Sequence, residues 1–232
     1  MKLLLRMRHM ACDVSSCFLC KFCTPEWREL IAVKKTTLRF KKGEQFFKEG
    51  ENVTGIYFMY TGAAKVHKQW IDQKELILRF TKAGEMIGHR GVAGGNVYPV
   101  SATALEDSSA CFISNGFLET TLKTDHAFTY RLMQFYAEEL LRAEKRMRNL
   151  ALMEAKGRIA ETIIELLGVF GTNKNKYISV AVTRQDIASA AGTTYETVFK
   201  FLKTLTLEKI ISVSGKSIRI NNADKLEQFI HR

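Results

Sequence analysis

The chain has 232 residues, 46% hydrophobic and 25% charged, the balance of a globular protein with room for two modest domains. Its 35 Lys and Arg against 24 Asp and Glu give a formal net charge of +11, which favours polyanionic partners, nucleic acid or acidic lipid, without choosing between them. No apolar stretch reaches bilayer-spanning length, and Arg6, Arg8 and His9 interrupt the opening Met1 to Leu5 before a secretory apolar core develops, so the expectation is a cytoplasmic protein with no membrane partner.

Four of the five cysteines, Cys12, Cys17, Cys20 and Cys23, crowd into one N-terminal segment, and Cys111 stands alone. In a reducing compartment the pattern C-x4-C-x2-C-x2-C points to thiolates gathered around a soft metal. Its spacing leaves zinc and an iron–sulfur cluster both open. From Pro25 to about Leu122, short β-rich runs such as Ile56–Tyr60, Leu76–Phe80 and Ala110–Ile113 alternate with glycines, which predicts an antiparallel sandwich or barrel.

After Lys123 the texture becomes helical, without Gly or Pro until Gly157. Met133, Tyr136, Leu140, Ala143, Met147 and Leu150 recur at alternating steps of three and four, flanked by charged residues, as in a heptad seam for self-association into a homodimer. A second amphipathic helix is expected over Arg158 to Leu167, a polar loop over Gly171 to Lys176 and a short strand over Tyr177 to Val182. Thr183 with Asp186 three residues later caps a helix that runs to Ala191, Gly192 makes the turn, and Thr194 caps a second helix from Tyr195 to about Leu207. Ile210–Val213 and Ser217–Ile220, joined by Ser214-Gly215-Lys216, read as a wing hairpin, completing a winged helix-turn-helix for double-stranded DNA. No enzyme is expected, because His9, His67, His89, His126 and His231 belong to no catalytic motif. A cyclic-nucleotide-binding or structural module without DNA binding is opposed by the recognition helix and wing together.

Phe40-Lys41-Lys42-Gly43-Glu44, Lys48-Glu49-Gly50-Glu51, Ala83-Gly84-Glu85-Met86-Ile87-Gly88, Gly157-Arg158-Ile159-Ala160 and Thr183 to Ala188 through Gly192 to Val198 occur in an order that resembles the CRP/FNR transcription regulators. The likeness covers essentially all of the chain after about Pro25. It implies an α+β fold: a cyclic-nucleotide-binding-type β-roll (a double-stranded β-helix), a long dimerisation helix and a C-terminal winged helix-turn-helix. The corresponding segments are 1–24 (cysteine-rich), 25–127 (roll), 128–153 (dimer helix) and 154–232 (DNA-binding). It implies an inverted-repeat operator, with RNA polymerase an open third partner. By residue, Tyr195, Glu196 and Lys200 sit where the family's recognition helix faces base edges, and Arg184, Thr194, Thr197 and Lys216 where it meets phosphates. Lys200 stands where relatives commonly carry Arg, and Tyr195 and Phe199 are further departures.

The cyclic-nucleotide branch uses a Glu for the ribose and an Arg for the phosphate; His89 and Val100 occupy those places, so cyclic AMP is not expected. The cysteines instead resemble the oxygen-sensing FNR branch, in which three N-terminal cysteines and one in the roll hold a [4Fe-4S] cluster. That likeness implies Cys17, Cys20, Cys23 and Cys111 as ligands, with Cys12 in reserve. A zinc or thiol sensor, or a different small effector in the roll, is the alternative.

Overall fold

The glycine-punctuated run folds into two four-stranded sheets. Strands β1 (Thr36–Phe40), β3 (Gly55–Thr61), β6 (Met86–Ile87) and β8 (Ser108–Ser114) pair in the order β1-β8-β3-β6. Strands β2 (Gln45–Phe47), β4 (Ala63–Gln69), β5 (Glu75–Lys82) and β7 (Ser101–Ala104) pair in the order β2-β7-β4-β5. The computed structural model describes residues 15–71, 74–92 and 96–231, so Cys12 and the first residues of the chain lie outside the described residues.

The roll core is aromatic. Phe47 stacks on Tyr98 at 4.1 Å between centroids, Phe40 packs on Phe46 at 4.0 Å, and the Tyr98 hydroxyl donates to the Gly55 carbonyl at 2.8 Å, so its polar end is satisfied inside. Strand β3 is buried on both faces, as its near-continuous apolar run requires. Tyr57 joins these aromatics, while Ile56 and Phe58 belong to a second cluster built with helices.

Those helices correct part of the expectation. Pro25–Lys34 and Asn115–Thr124, read as strand territory, are helices α2 and α3, and a short α1 covers Phe18–Phe22. In α2, proline occupies the first helical position, where its fixed φ suits the helix, with Glu26 behind it and no glycine to break the run. In α3 the hydroxyls of Thr120, Thr121 and Thr124 donate to carbonyls four or so residues back, which lets these β-branched residues sit in a helix. Helix α4 spans His126–Leu152; Asp125 accepts from the Phe128 amide at 3.0 Å and so caps its first turn. Phe128, Leu132 and Phe135 on its first half are buried against Phe18, Ile31 and Leu118.

The chain divides into two compact units, Met1–Gln69 with Phe80–Leu140 and Trp70–Arg79 with Leu141–Arg232. The second contains α5 (Ala155–Phe170), α6 (Arg184–Ala191), α7 (Tyr195–Leu207), the hairpin β9 (Ile211–Ser214) and β10 (Ser217–Ile220), and α8 (Ala223–Glu227). The strand expected over Tyr177 to Val182 does not form. Ile178, Val180 and Val182 alternate inward, but pairing is limited to a single bridge from Thr172 to Ile178 and a bond from the Ile178 amide to the Ile218 carbonyl. Period-two burial without a neighbouring ladder gives extended chain rather than strand. No helix among the described residues is long and apolar enough to cross a membrane.

Candidate functional site

Local chemistry places α6 and α7. At the start of α6 the Thr183 hydroxyl accepts from the Asp186 amide at 3.0 Å while the Asp186 carboxylate accepts from the Thr183 amide at 3.1 Å, a reciprocal capping box. The helix ends at Gly192, in the left-handed conformation at φ 60° and ψ 47°. A side chain there would also collide with Leu150, whose Cδ2 lies 2.6 Å from the position of a Cβ. Two guanidinium groups then donate to the carbonyls at the end of α6. Arg158 donates to Ala191 at 2.7 Å, to Gly192 at 3.2 Å and to Met153 at 2.5 Å. Arg146 donates to Ala190, and also to Ile77 at 2.5 Å and Leu78 at 3.3 Å. Cations at the negative end of a helix are favourable, and these two fix where the turn lies. Burial lowers the Arg146 pKa, opposed by Glu165 and Glu161, and burial raises that of Glu165, which Arg146 partly offsets.

Thr194 caps α7 by accepting from the Thr197 amide at 3.2 Å, and the two hydroxyls lie 3.0 Å apart. Val198, Phe201, Leu202 and Leu205 bury the inner face. That leaves Tyr195, Glu196, Phe199 and Lys200 exposed on the outer one. Gly215, at φ 60°, turns the hairpin and leaves Lys216 exposed at its tip. Of the expected DNA-contact residues, Arg184, Tyr195 and Lys216 line one shallow cleft between α6, α7 and the hairpin. Thr194, Glu196, Thr197 and Lys200 follow along the first turns of α7.

The expected metal ligands share one region of the core without closing on a common point. Cys17, Cys20, Cys23 and Cys111 are all buried members of one apolar cluster, with Phe18, Ile31, Phe58 and the α4 residues Phe128, Leu132 and Phe135. Burial, with the Asp125 carboxylate beside it, pushes the Cys23 thiol far above its ordinary pKa. Among the described residues no group of three or more His, Cys, Asp or Glu side chains is gathered closely enough to hold a metal ion. As a donor set, four soft thiols in a water-excluding shell suit an iron–sulfur cluster.

The seam residues of α4 divide. Met133, Leu140 and Met147 are 58%, 60% and 61% exposed, and Ala143 is exposed as well. Tyr136 and Leu150 are half-buried in the chain's own packing, the Tyr136 hydroxyl donating to the His89 carbonyl at 2.7 Å. His89 lies edge-on to Phe135 with centroids 5.0 Å apart, and its Nε2 is 3.7 Å from Glu139, which also receives Arg90 at 3.2 Å. Sequence reasoning missed this group, along with Asp125, which accepts from the Thr24 amide at 2.9 Å as well as capping α4. Only Asp125 had a legible signal, an acidic residue directly before an apolar helical run.

Residues 37–125 match the family model described as a cyclic nucleotide-binding domain, and residues 157–229 that described as a Crp-like helix-turn-helix domain. The chain is 28% identical over 195 residues to the Anaerobic regulatory protein of Bacillus subtilis, covering 82% of each. It is 25% identical over 226 residues to the Fumarate and nitrate reduction regulatory protein of Vibrio cholerae, covering 94% of this chain and 90% of the relative. Among solved structures it is similar to FixK2 from Bradyrhizobium japonicum, with a TM-score of 0.75 and 26% identity over 84% of this chain and 96% of that one.

Proposed function

Because the chain belongs to the CRP/FNR family of transcription regulators, we propose that it acts as a homodimeric, sequence-specific DNA-binding protein governed by redox state through a cysteine-held iron–sulfur cluster. The observation that carries the sensing half of this reading is the joint burial of Cys17, Cys20, Cys23 and Cys111 in one cluster with the first half of α4. When bound, a [4Fe-4S] cluster supplies an oxygen-labile centre held by four thiolates. Cys17, Cys20 and Cys23 on and around α1, with Cys111 on β8, would hold it, and Cys12 is the reserve.

The chain's own residues carry the coupling. Phe18 on α1 packs edge-on to Phe128 and Phe135 of α4, with centroids 6.2 and 5.3 Å apart, so a shift of the Cys17–Cys23 segment repacks the helix from beneath. Asp125 ties the Thr24 amide to the first turn of the same helix. On its outer face Met133, Leu140, Ala143 and Met147 are the residues that meet a second copy, with Tyr136 and Leu150 completing the seam from half-buried positions. A two-fold dimer then presents two α7 helices to half-sites one helical turn apart, which makes the operator an inverted repeat. Glu196 accepts from a cytosine amino group and Lys200 donates to guanine, with Tyr195 beside them; Arg184, Thr194, Thr197 and Lys216 hold phosphates. Cyclic AMP has no part in this reading: Val100 offers its phosphate no cation, and His89 packs on Phe135.

The test is protein purified without oxygen, assayed for iron and sulfide, and followed by visible absorbance on exposure to air. A broad absorbance that bleaches in air and is missing from Cys111→Ser is the expected result. Colourless, iron-free protein after anaerobic reconstitution would reject the cluster, and bound zinc without iron would select the zinc sensor.

A further inference from the structure

Helix α7 shows solvent two aromatic rings that its own packing does not use. Val198, Phe201, Leu202 and Leu205 already fill the inner face, yet Tyr195 and Phe199 are 41% and 45% exposed. A single exposed apolar side chain is ordinary, but these two are organised. Their planes lie 15° apart with centroids 6.4 Å apart, and the Arg184 guanidinium carbon sits 5.4 Å over the Phe199 ring. Cation, ring and ring thus form one tier across the first turns of the helix, and stacking of this kind restricts the ring that a partner would meet. Residues 195, 196, 199 and 200 share one face, so the stripe alternates aromatic and charged side chains.

Resting on the reading of α7 as the helix that enters the major groove, we propose that Phe199 is a specificity residue that packs on the 5-methyl group of a thymine, with Tyr195 and Arg184 holding its ring in place. Thymine alone presents an apolar group on the major-groove edge; the other bases offer only donors and acceptors there. The phenyl ring can neither donate nor accept. Against a cytosine amino group or a guanine oxygen it would displace water and return no hydrogen bond, so those bases are penalised as well as unrewarded. Glu196 and Lys200 select polar edges from the neighbouring positions, which places the thymine next to base pairs specified by hydrogen bonding.

The experiment, run throughout without oxygen, selects binding sites from a random duplex pool with the full-length dimer and with Phe199→Ser and Phe199→Leu. Deoxyuridine, which lacks only the methyl group, then replaces each selected thymine in turn. The wild type should enrich thymine at one position of each half-site and bind about fourfold more weakly when that methyl is removed. Phe199→Ser should lose both the enrichment and the sensitivity to deoxyuridine, Phe199→Leu should keep part of each, and all three should unfold cooperatively, Phe199→Ser a few degrees below the others because only about half of the ring is covered. A wild type that selects a defined sequence yet tolerates deoxyuridine at every thymine overturns the role of Phe199 and leaves DNA reading by α7 intact. A wild type that enriches no sequence overturns both.

Discussion

Leu140→Ala should dissolve the dimer while sparing the fold of each protomer. In the isolated chain 60% of Leu140 remains in water, so its intrachain packing is slight. Complete burial of a leucine contributes about 1.5–3 kcal/mol, so covering what is exposed, less the β-carbon that alanine keeps, accounts for about 1–1.5 kcal/mol per copy. A two-fold interface uses each residue twice, which brings the loss to about 2–3 kcal/mol, or about 30- to 150-fold in the dimer dissociation constant. Sedimentation velocity across a concentration series reads this directly, and far-ultraviolet circular dichroism reports whether the helices persist. Leu150→Ala is the contrast: Leu150 is half-buried beside Gly192, so its loss should lower the unfolding temperature at least as much as it weakens the dimer. A Leu140→Ala protein with the wild-type dissociation constant would refute the seam.

Thr183→Ala removes one half of the capping box and should lower stability by about 1 kcal/mol in urea unfolding, with a matching loss of DNA affinity as α6 frays. Arg158→Met strips charged donors from the carbonyls of Met153, Ala191 and Gly192 and should cost about 3 kcal/mol by the same measurement. Glu165 sets a pH dependence. Burial raises its folded pKa above the ordinary 4.5, so the folded state holds the proton more tightly than the unfolded one, and stability falls as pH rises from 4.5 through the raised value. Glu165→Gln should flatten that part of the unfolding-temperature profile; an unchanged slope would show that another group sets it. Tyr136→Phe removes the hydroxyl that reaches the His89 carbonyl and should cost about 1 kcal/mol in thermal unfolding.

The DNA-binding half of the chain was legible residue by residue because its determinants are local. Thr183, Asp186, Gly192 and Thr194 act through bonds to backbone within a few positions, and the bounds of α6 and α7 follow from them. The roll strands were legible for a similar reason, since turn glycines and short apolar runs mark their ends. What escaped depends on distant partners. The extended run after Tyr177 has the alternation of a strand, and only the absence of a flanking ladder decides against one. Helices α2 and α3 border a glycine-rich texture that reads as strand throughout, although the proline opening α2 is a usable signal. Arg146 gave no sign of its role, because the carbonyls it serves lie 69 and 44 residues away. Cys17, Cys20 and Cys23 stood out by spacing, but their common burial with Cys111, Phe128 and Phe135 follows from packing that no short motif encodes.

The most direct test is the affinity of the intact protein for an inverted-repeat operator, selected without oxygen, measured by fluorescence anisotropy before and after admission of air, with Cys111→Ser in parallel. A redox regulator built on the buried cysteines should bind at least tenfold more tightly before air than after, and Cys111→Ser should bind with one weak affinity throughout. Equal and tight binding by both proteins under both conditions would contradict the account, separating DNA recognition by α7 from any signal carried by Cys17, Cys20, Cys23 and Cys111.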